Sequence, residues 1–136
     1  MTATVTRDMR ATVLAETLTR AAAHIREYGR QAQDYCPIGR EDDPHAPCDP
    51  VGAINVAVYG TPWPDRFINP MSRVAKHALA AHLDLPIADY PGGCGGQRTE
   101  ALLGEALGSW ADEQPTEGLL AAMERCAQRI AGGWRP

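Results

Sequence analysis

The sequence predicts an all-α, compact single domain of about five helices with two long Pro/Gly-rich loops. Three observations predict it. Apolar residues recur at steps of three and four in several windows, the spacing that gathers them on one face of a helix. Alanine is abundant while aromatics make up only 6% of the chain, a mixture suited to close-packed helices; strands draw on β-branched and aromatic residues. Helix punctuation also recurs, with Asp49-Pro50 and Asn69-Pro70 ahead of apolar runs and Gly29, Gly60 and Gly132-Gly133 behind them.

Each element follows in order. Residues 1–11 are polar and are expected to fray, leaving residues 12–133 as the helical domain. From Thr12, Leu14, Leu18, Ala21, Ile25 and Tyr28 define one face of a first helix that Gly29 stops. A long polar loop runs from Arg30 to Pro47. In DPVGAINVAVYG, Asp49 can accept from the free N–H groups of the next turn, and Pro50 suits the first helical position. The caps decide for a helix against the strand that its β-branched residues allow, with Val51, Ile54 and Val58 inward. TPWPDRFINP is a stiff connector carrying Trp63 and Phe67. A third helix follows over Met71 to about Leu83, with Met71, Val74, Ala75, Ala78 and Leu79 inward. LDLPIADYPGGCGGQ is irregular, with one short extended piece expected at Leu85–Tyr90. Thr99 opens a fourth helix, with Leu102, Leu103, Ala106, Leu107 and Trp110 inward. Thr116 opens a fifth, with Leu119, Leu120, Met123, Ala127 and Ile130 inward.

Composition narrows the function classes. At 136 residues the chain is one domain by length and long enough to build a core without staples. Net charge is −4, and no segment gathers the basic stripe that phosphate contacts need, so nucleic-acid binding is not favoured. Lys76 is the one lysine against twelve arginines, a bias of high-GC coding. No apolar run approaches the ~20 residues of a membrane span, and MTATVTRDMRATVL places charges where a signal peptide is apolar. A cytoplasmic location is expected. In a reducing compartment, four cysteines read as free thiols or ligands before disulfides.

AAAHIREYG at the end of the first helix, GAINVAV in the second and SWADEQPTEGLLAAMERCAQRI at the end of the chain resemble a domain of unknown function found in actinobacteria and their phages. The resemblance covers about half of the chain. It implies a short helical protein with a Trp-x-Asp turn, here Trp110 and Asp112, before a final helix starting at Thr116. It implies no activity for any residue.

Two loops carry the residues that could do chemistry. Cys36, His45 and Cys48, with Cys94 as a fourth, are the ligand types of a tetrahedral zinc site, and His45-x-x-Cys48 has chelating spacing. The wide gap from Cys36 to His45, the remoteness of Cys94 and the lack of a Cys-x-x-Cys pair weigh against it. No metal or other cofactor is therefore expected, with zinc as the alternative. In PGGCGGQRTEALL, glycines around Cys94 let the backbone approach a ligand, and the loop runs into a helix N-terminus. That arrangement allows an anion cradle of Gly93, Gly95, Gly96 and Arg98, a thiolate nucleophile at Cys94, or a plain surface loop. His24, His77 and His82 read as exposed or half-buried polar-face residues, and Glu41-Asp42-Asp43 as a solvated loop. Trp63, between two prolines, reads either as cover for the core or as an interface anchor.

Two functions follow as expectations. The first is a binding or adaptor module for a protein partner or a small anionic ligand, using loops 30–48 and 84–98 as its contact surface. The second is an enzyme or zinc protein centred on Cys94 with Cys36, His45 and Cys48. At the level of sequence both stay open.

Overall fold

The computed structural model describes residues 2–86 and 97–136, with side chains over 9–86 and 101–136. Five helices are described: α1 (Thr2–Tyr28), α2 (Pro50–Tyr59), α3 (Pro70–His82), α4 (Gln97–Asp112) and α5 (Thr116–Ala131). Residues 87–90 of the expected short extended piece and the residues Gly93, Cys94, Gly95 and Gly96 fall outside the described residues, as does the side chain of Arg98. Among the described residues the only β-type pairing is a single parallel bridge between Arg30 and Cys48. The chain is all-α, as its periodicity predicts.

α1 begins at Thr2, ten residues before its apolar face starts. Nothing in residues 2–11 breaks a helix, since neither proline nor glycine occurs there. The helix therefore extends beyond the stretch that its apolar pattern marks. It lies antiparallel to α5. Arg26, near its C-terminal end, donates to Glu124 at 2.6 Å and Glu117 at 3.5 Å, while Ala11 and Ala15 line one groove with Ala127 and Ala131. The ion pairs are exposed and worth little. What holds the two helices is burial of Leu14, Leu18 and Ile25 against Leu119, Leu120, Met123 and Ile130.

α2 is the central helix and touches α1, α3 and α4. Its start matches the sequence expectation. Asp49 is the N-cap, its carboxylate accepting from the Gly52 N–H at 2.8 Å, and Gly60 closes the helix at φ 85°. Pro50 through Asn55 are all buried, so the first half of the helix has no solvent face. A Cβ built on Gly52 would lie 2.2 Å from the Tyr35 carbonyl oxygen. Only glycine lets the 30–48 loop cross so closely. In an open helix, Gly→Ala gains roughly 1 kcal/mol of propensity. Here the contact is with backbone, so overpacking wins, and Gly52→Ala is expected to destabilise by about 1–3 kcal/mol net. Urea melts decide by sign, because a stabilised variant would mean that the loop does not cross there.

α3 corrects one expected face. Val74 is 42% exposed, while Ser72 and Lys76 are buried instead. Ser72 donates to Asn55 Oδ1 at 2.9 Å, and the Lys76 ammonium sits 5.0 Å from the Phe67 ring centroid. Partners on other elements, not the helix's own pattern, set which side faces inward. In α4, Leu103, Leu107 and Ala111 are buried, and Leu102, Ala106 and Trp110 are half-buried. Every expected inward residue of α5 is buried.

Candidate functional site

The 30–48 loop closes on itself. The Cys48 N–H donates to the Gly29 carbonyl and the Gln31 N–H to the Cys48 carbonyl, at 3.2 and 3.1 Å, while the Asp49 N–H donates to the Tyr35 carbonyl at 3.2 Å. Both ends of the loop are thus pinned beside the start of α2. Two further ties reach α4. The Arg30 guanidinium donates to the carbonyls of Ala111 and Gln114, where the end of that helix leaves carbonyls without helical donors. Gln33, held at φ 71°, donates its N–H to Asp112 Oδ1 at 3.1 Å. The aspartate of the Trp-x-Asp turn therefore anchors the loop.

Between the loop, the first turn of α2 and α4 lies a cleft of about 510 Å³, lined by residues that include Asp34, Tyr35, Asp49, Gly104, Glu105, Gly108, Ser109 and Asp112. Gly104 lets α4 come this close. A Cβ on Gly104 would meet the Tyr35 hydroxyl oxygen, and one on Gly108 would sit 3.6 Å from Asp49 Oδ2. Tyr35 in turn stacks on Trp63 with ring centroids 4.6 Å apart, Trp63 meets Phe67 edge-on, and Phe67 meets Tyr59 edge-on. Trp63 is half-buried within this aromatic series, which ties the connector and the end of α2 to the Tyr35 wall of the cleft.

The cleft is acidic, and Asp49 is its buried member at 4% exposure. Burial pushes the Asp49 carboxyl up to about 7; the Gly52 and Val51 N–H groups oppose the shift, Asp112 adds to it and Lys76 reduces it.

The candidate residues expected from sequence are only partly brought together. Cys36 and Cys48 are buried beneath the loop, whereas His45 is exposed and stacks on Tyr28 at 4.9 Å. Burial pushes the Cys48 thiol up to about 12, and burial followed by the charges of Glu41 and Asp49 raises that of Cys36. Among the described residues, no three His, Cys, Asp or Glu side chains are placed to hold a metal ion. His24 is not a polar-face residue. It is 7% exposed, and its Nε2 lies 2.7 Å from the Ala46 carbonyl, an acceptor that requires the proton on Nε2. The partner is 22 positions along the chain, outside anything a helical pattern encodes. The cleft residues Asp34, Tyr35, Asp49, Glu105 and Asp112 were not expected as a group, and the signal available for them was Gly104 on an otherwise strong helix.

The fold and the cleft together define a small all-α protein with an acidic recess where a pinned loop meets two helices. Residues 9–129 match the family model DUF6197, a family of unknown function, and the chain belongs to that family. No curated protein and no solved structure matches the chain.

Proposed function

We propose that the protein is a small helical binding module, and that the cleft between the 30–48 loop and α4 takes a cationic group, a guanidinium or primary ammonium, presented by a protein partner. One observation carries this reading. Four carboxyl groups, Asp34, Asp49, Glu105 and Asp112, line a single cleft, and no lysine or arginine is among the described residues that line it. A guanidinium meets carboxylates through paired, charge-assisted N–H donors. The absence of a three-ligand set among the described residues favours an organic cation over a metal ion. The anion-cradle reading of Gly93, Gly95, Gly96 and Arg98, and the thiolate reading of Cys94, concern residues outside those described. The raised Cys36, Cys48 and Cys126 thiols do not favour nucleophile or zinc chemistry at those positions. Three free thiols fit a cytoplasmic location, which belongs to the same reading. No helix among the described residues is long and apolar enough to cross a membrane.

The test uses acetyl-arginine methylamide as the probe, with the lysine and aspartate counterparts beside it, against ¹⁵N-labelled protein. The arginine probe is expected to shift the amides of Tyr35, Gly104 and Ser109, and less so in high salt. Asp34→Asn combined with Glu105→Gln, both exposed, should weaken binding about tenfold or more, as the loss of a charge-assisted contact implies. Equal shifts with the aspartate probe, or shifts scattered over the whole surface, would sink the proposal.

A further inference from the structure

Two surfaces lie away from the cleft, at opposite ends of the bundle. The first is the tip of the 30–48 loop. Ile38 is 89% exposed there, and the loop holds it out in a fixed shape. The Arg40 N–H donates to the Pro37 carbonyl and the Asp43 N–H to the Arg40 carbonyl, both at 3.0 Å, while the Gly39 N–H donates to Glu41 Oε1 at 3.1 Å. Arg40 pairs with Asp43 through Nε at 2.9 Å, leaving Glu41 and Asp42 as the uncompensated charges beside the isoleucine. This is an apolar side chain on an acidic mount.

The second surface is a groove of about 540 Å³ between the N-terminal half of α1, the start of α3 and the end of the chain. Leu14, Pro70, Met71 and Val74 give it an apolar lining, and among the described residues that line it the charged side chains are those of Arg10 and Arg135. Arg135 is held in place by donating to the Ile130 and Trp134 carbonyls at 3.1 and 3.0 Å. The loop and the groove are complementary, with an apolar anchor and two net acids on one, and an apolar recess and two arginines on the other. One chain cannot bring them together. Tyr28, at the far end of α1, stacks on His45 of the loop, and it lies about 20 Å along the helix from Leu14 at 1.5 Å per residue.

We propose that the groove's occupant is a second copy of this chain, whose Ile38 loop seats on Met71 and Val74 with Glu41 and Asp42 facing Arg10 and Arg135. The contact is heterologous, so each copy keeps one free loop and one free groove, and association runs head to tail. One loop in one groove covers less than the ~800 Å² per partner of a stable interface. The association is therefore weak, dependent on concentration and reduced by salt.

Sedimentation equilibrium on the full chain, from micromolar to near-millimolar concentration, tests this. The parent's average mass should climb with concentration and fall back at high salt. Ile38→Asp and Val74→Glu change exposed side chains, and their circular dichroism melts should match the parent; Arg10→Glu is a second groove variant should Val74→Glu fail to fold. Each single variant should stay monomeric. Their equimolar mixture should recover association and stop at a dimer, because Ile38→Asp supplies the intact groove and Val74→Glu the intact loop. A parent that is monomeric throughout, variants that associate as the parent does, or a mixture that stays monomeric would each overturn the proposal. The first of those outcomes would leave the groove to a different protein partner.

Discussion

Replacing Leu18, Leu103 or Leu120 with alanine is expected to cost roughly 2–5 kcal/mol in each case. The three side chains are essentially sealed from solvent, at 0%, 0% and 1% exposure, in one cluster that spans α1, α4 and α5. Truncation loses the transfer free energy of the removed carbons and leaves a void that packed helices only partly fill. A domain holds about 5–15 kcal/mol in total, so one such change removes a large part of its stability and lowers the melting temperature by several degrees or more. The losses should come near to adding for Leu18 with Leu103, on helices that make no substantial direct contact with each other, and to deviate for Leu18 with Leu120, whose helices pack side by side. Urea melts give both numbers. Variants within half a kcal/mol of the parent would mean that the assigned helix faces are wrong.

That core was largely legible in the sequence. α5 carries its whole inner face at helical spacing, and the cap residues Asp49 and Gly60 locate α2 although its side chains also suit a strand. Legibility ended where one element depends on another. Val74 has the right spacing and polarity for an inner position, yet Ser72 is inside because Asn55 waits for its hydroxyl across the helix pair. Lys76 is inside with its ammonium 5.0 Å from the ring centroid of Phe67, nine positions earlier. The cleft is the extreme case. Its walls come from residues 33–35, from Asp49 and from residues 101–112, segments that only the tertiary fold brings together. Asp49 and Asp112 stand out locally only as a helix cap and a turn residue, Asp34 and Glu105 not at all, and Glu41-Asp42-Asp43, the acidic run, lies elsewhere in the loop. Glycine was the faint trace. Gly52 and Gly104 sit in helices where alanine would propagate the helix better, and each marks a close approach to Tyr35.

Asp49→Asn is expected to stabilise the protein at pH 8, by on the order of 4 kcal/mol at most, and to leave it nearly unchanged at pH 4. Asparagine is as good an N-cap as aspartate, so its side-chain oxygen can still accept from the Gly52 N–H that Asp49 now holds at 2.8 Å. What it removes is a charge in a buried place. The folded-state carboxyl is pushed up to about 7 from its ordinary value of 3.8, with burial the main cause. Between those two pH values the native chain holds a proton that the unfolded chain has released. Stability from this group is therefore complete below about pH 4, falls as pH rises towards 7, and stays at its lower level above that. His82 works in the opposite sense. Burial, with Arg129 and Arg125 nearby, lowers its pKa below the usual histidine range, so its contribution is lost as pH falls. The parent's own pH profile mixes the two, whereas the difference between parent and Asp49→Asn cancels His82 and isolates Asp49. Asp49→Ala separates the charge from the cap. It also removes the charge, but it leaves buried N–H groups of α2 without an acceptor, and at acid pH it should be less stable than the parent by about 0.5–2 kcal/mol. Chemical denaturation at a series of pH values from 4 to 8 measures all three proteins. If the stability difference between parent and Asp49→Asn stays flat across that range, Asp49 is ionised in the fold throughout, and the cleft carries a full negative charge at its floor that the packing around α2 tolerates without cost.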